Sequence, residues 1–204
     1  MPHKETDARI LLDAHRFWFE DLVAGMENRA EQAKVWFSRS DATDDAIRER
    51  FGSHLDPVAG TDWDFETLPP AAGTGLIIFL DQFPRNLFRD DARAYAYDAR
   101  ARAVARSLIE GGTGRFTPME RVFLYLPLEH SEDLADQDLS VELYEALRAE
   151  MPEADQAAFG SFVEFAEKHR DLIRRFGRFP HRNADLGRAS TPEEIEFLKG
   201  GRGY

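Results

Sequence analysis

Apolar side chains recur every three or four positions along most of this chain, which is the spacing of one face of an α-helix. Leu11, His15, Trp18 and Leu22 follow that spacing between Asp7 and Glu27, with Thr6 as a possible N-cap. Ile47, Phe51 and Leu55 repeat it over about 43–55, a helix expected to stop before Pro57. Residues 56–75 hold Pro57, Gly60, Pro69, Pro70, Gly73 and Gly75, and read as a long connection anchored by Trp63 and Phe65.

The apolar run Gly75–Phe83 suits a buried strand or a buried helix on periodicity alone. No other segment offers it a strand partner, and a lone strand leaves its backbone groups unpaired, so it is assigned as a helix. Further helices are expected over about 91–110, closed by Gly111 and Gly112, and from Thr117-Pro118-Met119-Glu120, which combines an N-cap, a proline in the first turn and an acid three residues on. Others follow over about 138–149, 153–176 and 191–199, the last opened by Thr191-Pro192-Glu193-Glu194. The expectation is one all-α domain over 1–204. Its antiparallel helical hairpins form a short α-solenoid or an irregular bundle.

Composition narrows the function classes. The 204 residues are 43% hydrophobic and include no cysteine, which excludes disulfide-stapled and cysteine-ligated zinc classes and disfavours disorder. A formal charge of −12 argues against a nucleic-acid partner. The longest apolar runs are far short of the roughly 20 residues a membrane span needs, and MPHKETDARI shows no secretory pattern, so the expected place is the cytoplasm with no membrane partner. Of the 26 basic residues 22 are arginine. Base composition explains such a skew, and so do guanidinium forks that grip carboxylate or phosphate.

Three segments depart from plain amphipathic patterning. In LDQFPRNLFR, residues 80–89, Pro84 should end or kink the helix and leave a carbonyl near Leu80 without its partner, while Asp81 and Arg85 stand four apart as a local ion pair. In LPLEHSED, residues 126–133, a second proline interrupts a helix, and the spacing places Glu129 beside Glu132 and Asp133 on one helical face. That face is a solvated acidic helix start, or a place to hold a metal or pair an acid with a base. In HRDLIRRFGRFPHRN, residues 169–183, His169 completes the series Phe162, Phe165, Leu172, Phe176 and should point inwards, as a satisfied core histidine or as a ligand or acid–base group.

Phe179-Pro180-His181-Arg182-Asn183 echoes Phe83-Pro84-Arg85-Asn86. Either two ordinary helix-end turns coincide, or two sets of guanidinium and amide donors serve one anion. Charge is also segregated: ten acidic residues and one basic lie in 129–155, seven basic and three acidic in 165–188. The two stretches can pair with each other across packed helices.

These motifs resemble the bacterial domain-of-unknown-function family 924, a group with a tetratricopeptide-like all-helical fold. Phe17-Trp18-Phe19, Trp36-Phe37, residues 80–89, 123–137 and 169–183, and Gly187-Arg188 with Ser190–Glu194 carry the likeness. The resemblance implies a fold and signature positions, not a reaction. Those positions are Asp81, Gln82, Arg85 and Asn86; Glu129, His130, Ser131 and Glu132; His169 and Arg170; and Arg178, His181, Arg182 and Asn183.

The leading functional expectation is a polar pocket for a small anionic ligand bearing phosphate or carboxylate. Arg85, Arg178 and Arg182 supply charge, Gln82, Asn86 and Asn183 fix orientation, and Glu129 with His130 or His181 forms an acid–base pair. One alternative is a metal-dependent enzyme with a metal between Glu129, Glu132, His130 and His169 or His181. Another is a tetratricopeptide-like module whose basic carboxy-terminal segment receives an acidic protein partner. No cofactor follows from the residues.

Overall fold

The computed structural model describes residues 3–19, 33 and 36–201, with 3–7 as backbone alone. They are helical throughout, with no strand among the described residues. They group into two compact units, unit 1 from residues up to 89 and 93–116, and unit 2 from 90–92 and 117 onwards.

Unit 1 is organised around the apolar run. Helix α1 (His3–Phe19) starts earlier than expected and places Thr6 inside it instead of capping it, while the expected continuation through Leu22 to Glu27 lies outside the described residues. Helices α2 (Asp41–Phe51) and α3 (Leu55–Gly60) follow, joined by a 3₁₀ turn. Pro57 therefore does not end a helix. It sits in the first turn of α3, where a missing N–H costs nothing. Helix α4 (Pro70–Ile77) likewise starts on a proline, so the connection is shorter than expected.

Helix α4 runs into a π-helical turn, Ile78–Gln82, and then α5 (Phe83–Leu87). Pro84 explains the change of register. In an α-helix the Leu80 carbonyl would need the N–H that Pro84 lacks; instead the Phe83 N–H reaches the Ile78 carbonyl, five residues back, and Pro84 falls in the first turn of a new helix. All residues from Ala72 to Pro84 are buried, which suits a helix that is apolar on every side. Gly75 permits this: a Cβ there would lie 2.0 Å from the Leu11 carbonyl oxygen, so α1 and α4 approach backbone to backbone. Phe51 stacks on Phe83 at 4.8 Å between ring centres, with Phe79 and Trp18 edge-on around them. Of the expected 91–110 helix, only α6 (Asp98–Glu110) is α-helical; a 3₁₀ segment, Ala92–Tyr95, precedes it.

Unit 2 contains α7 (Pro118–Glu129), α8 (Leu134–Glu150), α9 (Glu153–Phe176), a 3₁₀ turn (Pro180–Arg182) and α10 (Pro192–Lys199). Both Thr-Pro-x-Glu starts form complete capping boxes, at Thr117 with Glu120 and at Thr191 with Glu194. Pro127 does not interrupt its helix, since α7 continues to Glu129 and the His130 N–H still reaches the Leu126 carbonyl. Glu129, Glu132 and Asp133 consequently do not share a helical face. The helix has ended, and Asp133 caps α8, which begins four residues before its expected start. Tyr125 and Tyr144 meet edge-on at 5.4 Å between α7 and α8. Gly177 closes α9 in the left-handed conformation, with φ of 70°.

Candidate functional site

Site residues of unit 1 form a lock built on the π turn. Asp81 is fully buried and accepts from the Gln82 side-chain amide at 2.6 Å. Arg85 lies 4.0 Å from the Asp81 carboxylate, and its main partner is Asp98, held by two parallel bonds of 2.9 Å. The same guanidinium donates to the Asp81 and Ala94 carbonyls. Asn86 and Arg89 converge on Asp44, at 2.7 to 2.9 Å. Burial raises the Asp44 pKa, but these hydrogen bonds outweigh it and hold the carboxyl below its ordinary range. Nothing near LDQFPRNLFR marks Asp44 or Asp98, so the sequence reading missed them.

In unit 2 the signature residues gather where α7 ends, α9 passes and the chain turns after Gly177. His169 points inwards as expected and is 6% exposed, although Phe165 of the same series is 45% exposed. Nδ1 of His169 faces the Phe165 carbonyl at 2.8 Å and the Glu129 carboxyl at 3.1 Å. Its pKa is pushed down to about 3, first by burial and then by His130 and Arg182, with the Phe165 carbonyl opposing. The ring is neutral near pH 7, so the Glu129 contact is a hydrogen-bonding contact and not an ion pair.

Besides the Glu129 carboxyl, aromatic and basic groups lie around that ring. His130 lies 6.2 Å away between ring centres and Phe179 5.6 Å away, edge-on. Phe179 in turn has His181 at 5.5 Å and the Arg182 guanidinium at 4.4 Å over its face. His130 and His181 are half-buried, whereas Phe179 and Arg182 are buried. Two histidines, His169 and His181, and an arginine thus surround one phenylalanine, and a third histidine, His130, lies against His169.

A brace fixes this geometry. Glu132 accepts the Phe179 N–H at 2.8 Å and two bonds from Arg188, at 2.7 and 2.9 Å. Burial raises the Glu132 pKa, and Arg188 with the Phe179 N–H more than reverses it. Arg188 also donates to the Phe179 carbonyl and to the Asn183 side chain. Asn183 donates to Ser190 and Glu194, and Glu194 takes two bonds from Arg178 at 2.7 and 2.8 Å, which lowers its carboxyl to about 2. On the other side, the Gln137 amide donates to the Glu129 and Ser131 carbonyls and holds the backbone that carries His130.

The expected ligand residues therefore have distinct places. Glu132, Arg178 and Asn183 belong to the brace; Arg182, His169 and His181 surround Phe179, with His130 against His169. Arg170 stands apart, 3.7 Å from both Asp138 and Glu167. The acidic and basic stretches do pair, through Glu132 with Arg188 and Asp138 with Arg174. Sequence reasoning missed the roles of Gln137 and Arg188, although the segments that carry the family likeness include both. Among the described residues no group of three or more His, Asp or Glu side chains is arranged to hold a metal ion, and no helix is long and apolar enough to cross a membrane.

An all-helical protein with a braced histidine–arginine cluster is the class these features define. Residues 14–202 match the family described as bacterial protein of unknown function, DUF924, and the chain belongs to it. Its fold is similar to the solved structure of a protein of unknown function from Agrobacterium tumefaciens, with a TM-score of 0.77 and 35% identity over 95% of this chain and 99% of that one. No curated protein matches.

Proposed function

We propose that unit 2 binds a small anionic ligand at the Phe179 cluster, with Arg182, His130 and His181 as the positive and donor groups, and with Glu129 and His169 as an adjoining acid–base pair. One observation carries this: in a chain of net charge −12, an arginine and two imidazoles meet around the Phe179 ring with a third imidazole, His130, beside His169, and the charges of Arg182 and His130 both act on His169. A cationic field set in partly apolar walls attracts an anion more strongly than the same charges do in open water. The half-buried rings of His130 and His181 offer access from solvent. The brace through Glu132 and Arg188 holds the donors in place before a ligand arrives, which lowers the ordering cost of binding.

Calorimetric titration with inorganic phosphate, sulfate and succinate tests the proposal. The expected result is saturable binding of at least one of them, weakened about tenfold or more in Arg182→Met, as loss of a charge-assisted hydrogen bond implies. Absence of binding by all three, or unchanged affinity in a folded Arg182→Met protein, would overturn it.

A further inference from the structure

The connection before α4 holds a segment that the Phe179 cluster leaves unused, Trp63-Asp64-Phe65-Glu66. Of the two aromatics expected to anchor it, only Trp63 does so: it is buried, and its indole N–H donates to the Val58 carbonyl at 3.0 Å. Phe65 is half-buried and has no aromatic partner among the described residues. Together with the end of α6 and the 3₁₀ turn Thr113–Arg115, this segment lines an open cavity of about 650 Å³ within unit 1. Sites for small organic molecules span about 300–1,000 Å³.

The charged groups of this cavity stay apart. Asp64, Glu66 and Glu110 line it with Arg115, and all four are exposed. Glu66 and Glu110 have no ion pair or side-chain hydrogen bond among the described residues, and the Asp64 carboxylate accepts only the Glu66 N–H, at 3.2 Å. The Arg115 guanidinium lies 5.1 Å over the Phe116 ring and pairs with none of the three acids. Glu110 is also ill placed for its helix. It ends α6, whose last turn has no basic residue, so its charge meets the negative end of the helix dipole.

A ligand of one sign meets its own sign here. An anion answers Arg115 and faces three carboxylates, whereas a cation answers the carboxylates and faces Arg115. Among the described residues no three acids are arranged to hold a metal ion. A molecule that carries both signs answers both sets at once, and an apolar side chain on it lies against Phe65 and Trp63.

We propose that this cavity binds a zwitterion with an apolar side chain, either an amino acid or a short peptide. Its ammonium lies at Glu110 and the carboxyl end of α6, and its carboxylate on Arg115, where the Ser107 hydroxyl lines the same cavity. Anion binding in unit 2 is independent of this site.

Calorimetric titration of the full chain compares L-phenylalanine and the dipeptide alanylphenylalanine with two single-charge analogues, phenethylamine and phenylpropionate. At least one zwitterion should bind saturably and about tenfold or more tighter than either analogue, since each analogue lacks one charge-assisted bond. Glu110→Gln and Arg115→Met, both at exposed positions, should each remove most of that margin. Tighter phenylalanine points to a free amino acid, tighter dipeptide to a peptide. No binding of either zwitterion, an analogue that binds as tightly as the better zwitterion, or unchanged zwitterion affinity in either variant overturns the proposal.

Discussion

The turn after Phe83 and the turn after Phe179 are written alike, yet their side chains have different neighbours. In unit 1, Arg85 lies on the Asp98 carboxylate and Asn86 on Asp44, so the motif is met by acids. In unit 2, Arg182 lies over an aromatic ring with imidazoles about it and its charge also acts on Glu132, whose two charge-assisted bonds come from Arg188. Sequence likeness between two turns is therefore no guide to shared chemistry. The partners supplied from elsewhere in the chain decide what a turn does, and the proposed anion site follows only from those around Phe179.

Exchange of the two arginines is the strongest way to break this comparison. Arg85→Met leaves Asp98 without its partner and two carbonyls without a donor, and should cost about 3 kcal/mol of stability, read from urea unfolding. Anion affinity, measured where the variant is still folded, should stay unchanged. A large loss of affinity in Arg85→Met would erase the distinction between the two turns. Next in size is the brace: Arg188→Ala should cost about 1–3 kcal/mol, because Glu132 and the Phe179 carbonyl lose its bonds, and it should weaken anion binding as well.

Two acid-range effects sharpen the account of unit 2. The folded-state pKa of Glu194 is depressed to about 2, so its contribution is present above the ordinary glutamate value and is lost as pH falls towards 2. His169 is neutral in the fold and takes up a proton more readily when unfolded. Its contribution is complete above about pH 6.5, the ordinary histidine value, and declines as pH falls towards 3. Thermal unfolding against pH should therefore show a shallower decline between those two values in His169→Gln than in the parent, and a shallower one below about pH 4 in Glu194→Gln. The smallest effect is expected at Asp138, whose pairs with Arg170 and Arg174 are half exposed; Asp138→Asn should change stability by about 0.5 kcal/mol or less in a urea titration.

What could be read from the sequence follows from how far each signal reaches. Capping boxes at Thr117 and Thr191, the limits of α9 and the inward direction of His169 rest on interactions within four residues, and they were legible. Prolines were harder, because the same residue ends one helix or opens another: Pro57 and Pro84 open theirs and Pro127 is carried inside α7. Partners were beyond local reading. Asn86 with Asp44 spans 42 residues and Arg188 with Glu132 spans 56, distances over which only the assembled fold brings side chains together. Of the candidate site, the residue types were legible and their division between brace and cluster was not.

The central claim is that the Phe179 cluster receives an anion, and nitrogen NMR of the histidine side chains during titration with inorganic phosphate tests it most directly. His130, His169 and His181 should shift together along one saturable curve while His15 and His54 stay unchanged. Shifts confined to His15 and His54, or no saturable shift at any histidine, would contradict it.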